Sequence, residues 1–129
     1  MDDLAKTMAA SASGMAAQAA RLRLSTENIA NADTPGYRRK TVSFEETFQR
    51  AGDVRAVATG PVRLDERELA RIYDPSNPLA DKDGNVFAAA VDETRELVDM
   101  METARSYQNN VEVMQTAKSL VIDTLKLGR

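Results

Sequence analysis

The segment from Asn28 to Tyr37 constrains the fold more than any other part of the chain. Proline disfavours the helical conformation at the residue before it and has no amide hydrogen, so a helix arriving from the N-terminus must end at or before Thr34. Pro35 and Gly36 suit the central positions of a type II turn, because glycine accepts a positive φ there. The sequence therefore predicts a helix end followed by a tight turn.

The region before this segment has helical periodicity. Its apolar residues recur every seven positions, and small residues follow four positions after them. The apolar row comprises Met8, Met15, Leu22 and Ile29, with Leu4 one turn ahead, and the companion row comprises Ala12, Ala19 and Thr26. This spacing is typical of a coiled-coil helix, which needs a partner.

A second periodic segment, from Val91 to Leu127, supplies that partner. Its first row is Leu97, Ala104 and Val111, its second is Met100, Tyr107, Met114 and Val121, and its third is Val113, Leu120 and Leu127. The third row lies about 100° around the helix from the second. One partner helix cannot cover so wide an arc, so we expect other copies or other chains to cover the rest. Asn110, beside the seam, either faces solvent or fixes the register.

The middle of the chain has shorter, partly alternating segments that predict strands over 41–44, 54–59 and 69–73, with a helical turn over 45–50 as an alternative. Residues 74–86 resemble part of a calcium loop, but the acidic ligands are missing at its first and last positions, so we interpret them as an ordered or semi-ordered loop. The predicted fold is mainly α: long N- and C-terminal helices paired as a coiled coil around a small β-containing middle segment, α+β overall. Its parts are residues 1–33, 34–90 and 91–129.

Composition excludes several functions. The 129 residues include no cysteine and no histidine, which removes thiolate nucleophiles, imidazole bases and the usual zinc ligands. A net charge of −3 argues against a nucleic-acid partner, and we interpret the only basic cluster, residues 38–40, as a solvated loop. We expect no cleavable signal peptide, no membrane span, and no catalytic, cofactor or metal site.

The stretch from Ser25 to Tyr37 resembles the N-terminal signature of the bacterial flagellar axial proteins, which include rod and hook subunits. Residues 73–81, 105–114, 116–120 and 124–129 resemble proximal rod members of that family. The positions that carry the family motif are Asn28, Ala30, Asn31, Thr34, Pro35, Gly36 and Tyr37. One departure is residues 89–91, where the family usually has Pro-Asn-Val, and it leaves the start of the last helix open.

The resemblance implies a structural subunit of the basal-body rod in the periplasm, exported by the flagellar type III system and polymerised through helix–helix contacts. Its partners would be other copies of itself, other flagellar rod proteins and the export apparatus, with no nucleic acid and no membrane embedding. Before assembly, the terminal segments of such proteins are largely disordered. Two alternatives are a companion rod protein that shares the turn segment and a cytoplasmic helical-hairpin adaptor.

The residues expected at the subunit interface come from the apolar rows. They are Leu4, Met8, Met15, Leu22, Ile29, Leu97, Met100, Tyr107, Val111, Met114, Leu120, Val121 and Leu127.

Overall fold

The computed structural model describes residues 2–49 and 54–128. Met1, residues 50–53 and Arg129, which fall within predicted segments, lie outside this part of the chain. The described elements are the helices α1 (Asp2–Ala30) and α2 (Glu93–Leu127) and the strands β1 (Lys40–Thr41), β2 (Phe44–Gln49), β3 (Val54–Thr59), β4 (Arg63–Leu64), β5 (Arg71–Tyr73) and β6 (Asn85–Phe87). The two helices pack together, and the short strands lie between them in sequence, which confirms the predicted fold class.

Helix α1 ends before Thr34, the limit that Pro35 sets. Its last residue is Ala30, and the chain then enters a turn in which the amide of Tyr37 donates to the carbonyl oxygen of Thr34 at 3.1 Å. Gly36 has a φ of 76°, the positive value that a type II turn needs at its third residue. The predicted helix end and tight turn are both confirmed.

Helix α2 begins at Glu93 without a proline. The side chain of Asp92 caps the helix by accepting a hydrogen bond from the amide of Arg95 at 3.2 Å. Glu93 and Glu96 place negative charge in the first turn, where the helix dipole favours it. The start of this helix, which the sequence left open, is therefore fixed by an aspartate cap.

The described strands form antiparallel pairs, β1 with β4, β2 with β3 and β5 with β6. The strand predicted over 54–59 is confirmed as β3, while only the end of the segment 69–73 forms a strand, β5. The strand predicted over 41–44 has the wrong bounds, because residues 42 and 43 separate β1 from β2. The alternative helical turn is also wrong, since residues 44–49 pair with β3 along their whole length.

The middle segment lies against α1. The amide of Val57 in β3 donates to the hydroxyl oxygen of Ser13 at 3.0 Å, and the guanidinium of Arg21 lies 5.4 Å from the centre of the Phe44 ring. At the turn, the carbonyl oxygen of Phe87 accepts from the amide of Gly36 at 2.9 Å. The chain that leaves α1 is therefore held beside β6 as well as against the helices.

The buried side chains of the described residues are small or polar. The apolar ones are Ala17, Ala56, Val86 and Ala117, and the polar ones are Ser11, Ser25, Asn28, Glu96 and Thr103. The helices thus approach each other through small and polar residues, and most of the larger apolar side chains keep contact with solvent.

Candidate assembly site: the corner and the helix seam

We use the name corner for residues 28–40, where the chain leaves α1 and reverses. Asn28 lies in the last turn of α1, is 1% exposed, and uses both ends of its amide. Its Oδ1 accepts from the hydroxyl of Tyr37 at 2.8 Å and from the amide of Lys40 at 2.9 Å. Its Nδ2 donates to the carbonyl oxygen of Lys40 at 2.9 Å and to Oε1 of Glu96 at 3.4 Å. One side chain therefore joins the end of α1 to the returning chain and to the start of α2.

Glu96 is the second anchor of the corner. It is also 1% exposed, and its Oε1 forms an ion pair with Nε of Arg39. Arg39 reaches Asp99 as well, with Nη2 to Oδ2 at 3.4 Å. The other carboxylate oxygen of Glu96, Oε2, is buried without a hydrogen-bond partner among the described residues. Removing Arg39 would leave the Glu96 carboxylate buried without an opposite charge, which is strongly destabilising.

Two further groups of the corner have raised pKa values. The hydrogen bond from Lys40 Nζ to Glu27 Oε1, at 2.5 Å, is the main cause that raises the pKa of Lys40. Burial raises the pKa of the Tyr37 phenol, and the negative charge of Glu27 adds to the effect. Both groups are therefore protonated at neutral pH and act as hydrogen-bond donors.

The interpretation of residues 38–40 as a solvated loop is wrong. Arg38 Nη1 donates to the carbonyl oxygens of Asp65 and Arg67 at 2.9 and 2.8 Å. Arg39 and Lys40 pair with acidic side chains of the two helices, and all three basic residues are half-buried. The basic cluster fixes the path of the chain after the turn.

The family-motif residues divide into two groups. Asn28 and Tyr37 meet in the network described above, whereas Asn31 and Thr34 act locally. The Asn31 Nδ2 donates to the carbonyl oxygen of Glu27 at 2.9 Å, and the Thr34 hydroxyl donates to Asn31 Oδ1 at 3.1 Å. Ala30 is the exposed last residue of α1, and Pro35 and Gly36 form the turn. Sequence reasoning missed Arg39 and Glu96, for which the available signal was a basic cluster after the turn and a carboxylate in the first turn of α2.

The contact surface between α1 and α2, which we name the seam, also differs from the predicted rows. Asn110 contacts Gly14 and Gln18, and Glu96 contacts Asn28. Buried residues occur at the same heptad spacing. We assign to the seam the residues that make these contacts, Gly14, Gln18, Asn28, Glu96 and Asn110, together with the buried residues at the same spacing, Ser11, Ser25, Thr103 and Ala117. On α1 they lie one residue before the predicted rows, and on α2 one residue before the row that begins at Leu97.

The expected interface residues consequently keep contact with solvent. Leu97, Leu120 and Leu127 are 52%, 49% and 87% exposed. The others are half-buried: Leu4, Met8, Met15, Leu22, Ile29, Met100, Tyr107, Val111, Met114 and Val121. A shift of one residue turns a helical position by about 100°, which carries a row from the centre of a contact to its side. Whether these residues meet other subunits stays a prediction.

An open groove of about 520 Å³ lies beside the seam near the start of α1. It is lined by Leu4 and Thr7 from α1 and by α2 residues that include Val113, Ala117 and Leu120. The apolar surface of α2 thus continues toward its C-terminal end, where Leu125 is 58% exposed.

The loop that resembles a calcium site is held by its own side chain. Asp81 Oδ1 accepts from the amides of Asp83 and Asn85, both at 2.9 Å. In the part of the chain that the structure describes, no cluster of three acidic residues could hold a metal ion. Neither described helix is apolar enough over a sufficient length to cross a membrane.

The fold and these contacts define a structural module in which two terminal helices pair and a corner directs the intervening segment away from them. Comparison with known proteins specifies the module further. The family model described as flagella basal body rod protein matches residues 8–38, which cover most of α1 and the corner up to Arg38. The model described as flagellar basal body rod FlgEFG protein C-terminal matches residues 82–127, which cover β6 and α2.

Individual relatives extend the similarity over nearly the whole chain. The flagellar basal-body rod protein FlgC of Agrobacterium fabrum is 39% identical, over 98% of this chain and 96% of the relative. The FlgC proteins of Yersinia enterocolitica and Salmonella typhimurium are 39% and 38% identical, each over 91% of this chain and 92% of the relative. The chain therefore belongs to the FlgC family of flagellar basal-body rod proteins.

Proposed function

We propose that this chain is a structural subunit of the proximal rod of the bacterial flagellar basal body, and that it polymerises through contacts between helices of neighbouring subunits. Its site would be the periplasmic rod, which it would reach through the flagellar type III export system. The relatives named as basal-body rod proteins support this assignment.

The observation that carries the proposal is the apolar surface left outside the seam. Leu97 and Met101, in the first half of α2, are 52% and 68% exposed, and Leu125 near its end is 58% exposed. Soluble monomers rarely leave such long apolar surfaces open, and those that do generally use them for contacts. Because this surface differs from the half-buried apolar row of α1, two copies would meet through unlike faces. Such heterologous contacts extend into helical arrays when the rotation between successive copies does not close a ring.

The small core supports ordering during assembly. The buried apolar residues among those described are three alanines and one valine, which contribute little burial for a chain of 129 residues. Burial between subunits would supply the remaining free energy, as it does for segments that fold on binding. The chain would thus pass the export channel without a stable fold and become ordered beside its neighbours in the rod.

The corner would set the direction in which the middle segment leaves the helical layer. Asn28 and Glu96 fix the reversal of the chain relative to both helices, so the middle segment is held at a defined angle. In a helical array, that angle determines whether the middle segments of neighbouring subunits fit.

A test separates assembly from export. In cells that lack the native protein, a variant with Leu97→Gln and Met101→Gln should be exported in normal amounts but should fail to restore rods and swimming. The matched control is Glu102→Gln, an exposed residue on the same helix, which should restore both. Normal swimming with the double variant would refute the proposed contact. Deletion of residues 1–31 or 98–129 should abolish assembly outright.

A helical-hairpin adaptor in the cytoplasm is a second candidate, because α1 and α2 pair within a single chain. An adaptor of this kind would be a strongly helical monomer with a cooperative thermal transition. Circular dichroism of the dilute, isolated chain distinguishes the two, since the rod subunit should show weak helicity that increases on assembly.

A further inference from the structure

The seam contains a polar contact at its centre. The Nδ2 atom of Asn110 donates to Oε1 of Gln18 at 3.2 Å, and both residues are half-buried. A Cβ atom at position 14 would lie 3.1 Å from that same Nδ2. Glycine inside a helix lowers helix stability relative to alanine. The absence of a side chain at Gly14 is therefore explained by the close approach of Asn110.

The sequence also allows a competing pairing of the same two helices. Met15 directly follows Gly14, and Val111 directly follows Asn110. A rotation of both helices, with almost no sliding, would bring these apolar residues face to face. The same rotation would place Leu22 near Ala104, so the larger apolar rows would form the interface. On apolar burial alone, this rotated pairing would be the more stable of the two.

The polar contact opposes that rotation. In the observed pairing, the amides of Asn110 and Gln18 share one hydrogen bond, while the rotated pairing would separate them. Single polar residues in helical seams commonly fix register in this way, at a cost in stability. We propose that Asn110 and Gln18, with the space left by Gly14, select the faces through which α1 and α2 pair within the chain.

The selection has a consequence that rests on the proposed function. It keeps Met15, Leu22 and Val111 out of the centre of the intramolecular seam, so their apolar surface stays available to neighbouring subunits. A chain that paired through those rows would bury the surface that a rod contact needs. Asn110 and Gln18 would then determine specificity for assembly without themselves contacting another subunit.

The chain has no cysteine, so introduced cysteine pairs report the pairing directly. One reporter carries Ser25→Cys and Thr103→Cys, at two buried seam positions. The other carries Leu22→Cys and Ala104→Cys, which would meet only after rotation. In the otherwise unchanged chain, mild oxidation should favour the seam disulfide over the rotated one. Adding Asn110→Leu and Gln18→Leu should lower this preference about fivefold to tenfold, the effect expected from one lost hydrogen bond.

Two further variants make the test specific. Asn109→Leu changes the exposed neighbour of Asn110 to the same residue and should leave the disulfide ratio unchanged. Gly14→Ala should lower the ratio without removing any polar group. The proposal is overturned if the seam disulfide does not dominate in the otherwise unchanged chain, or if Asn110→Leu with Gln18→Leu keeps the original ratio. Because the ratio is measured on the purified chain, with trimethylamine N-oxide to favour helix pairing in the absence of neighbours, it stands or falls separately from rod assembly, which swimming assays report.

Discussion

Replacement of Asn28 by alanine tests the corner most directly. It removes four hydrogen bonds, two of them to the main chain of Lys40 and one each to Tyr37 and Glu96. A net hydrogen bond contributes about 0.5–1.5 kcal/mol, and a buried group left without a partner costs about 1–3 kcal/mol. Tyr37 can turn to water and Glu96 keeps Arg39, so the main loss falls on the amide and carbonyl of Lys40. We expect the free energy of unfolding to fall by about 2–4 kcal/mol.

That loss is large beside the total of about 5–15 kcal/mol that is usual for a folded domain. Urea titration followed by circular dichroism measures it, with trimethylamine N-oxide added at a fixed concentration, because the isolated subunit is expected to be weakly helical and this osmolyte favours the compact state. With a slope of about 2 kcal/mol per molar urea, in the middle of the usual range, the midpoint should fall by about 1–2 M.

Asn31→Ala is the matched control. Asn31 lies three residues further along the corner, and its two hydrogen bonds are local, with Glu27 and Thr34. Its side chain is half-buried, so the expected loss is below about 1 kcal/mol. Coinciding midpoints for Asn28→Ala and Asn31→Ala would show that the network around Asn28 does not stabilise the corner.

Three other predictions use the same titration. Glu96→Ala should cost about 2–4 kcal/mol because it removes the buried carboxylate that accepts from both Arg39 and Asn28. Asp99→Ala, which removes a more exposed partner of the same guanidinium, should cost less than about 1 kcal/mol, and equal losses would contradict the assigned roles. Gly84→Ala should destabilise more than Gly36→Ala: both have a positive φ, but only at Gly84 would a Cβ lie 2.9 Å from the Tyr73 ring. The raised pKa of Tyr37 means that the folded state holds the phenol proton more tightly than the unfolded state does. The stability that this proton contributes is present below pH 10.0 and is lost as the pH rises through the folded-state pKa. Tyr37→Phe should therefore flatten the alkaline loss of stability, and an unchanged pH profile would contradict the prediction.

The sequence determined the ends of the helices more clearly than their contacts. Pro35 and Gly36 act within a few residues of themselves, so local stereochemistry is enough to place the end of α1 and the turn. The start of α2 was left open only because the expected proline is absent, although Asp92 is a standard capping residue. Strand β3 was predictable from alternation, while β1 and β4 are too short to produce a pattern.

The phase of the seam could not be predicted in the same way. Two adjacent rows on α1 repeat every seven residues, one with Met15 and Leu22 and the other with Gly14 and Asn28. Periodicity gives the spacing of both rows but does not decide which row faces the partner. Ranking by size selected the methionines and leucines, whereas the packed pair uses the row that allows close approach and polar contact.

The role of Glu96 at the corner could not be predicted from the sequence for a different reason. It contacts Asn28, which is 68 positions away in sequence, and Arg39, which is 57 positions away. A carboxylate in the first turn of a helix is adequately explained by the helix dipole, so nothing in the sequence marks this one as buried. Only the three-dimensional meeting of the corner with α2 distinguishes Glu96 from Glu93, which stays exposed.

The corner and the seam share one physical character. Each is held by groups whose hydrogen bonds depend strongly on direction: Asn28 and Glu96 at the corner, and Asn110 and Gln18 in the seam. Such contacts define angles and registers well, and each adds only about 0.5–1.5 kcal/mol net, although breaking one at a buried group costs more. Apolar burial supplies most of the free energy of association, and the larger apolar residues of both helices lie in the predicted rows beside the seam. Under the proposed function, contacts within the chain specify the geometry of the subunit, and contacts between chains supply most of its stability. Variants at Asn28 or Asn110 should therefore change the shape of the subunit. Variants at Leu97 or Met101 should change only its affinity for neighbouring subunits.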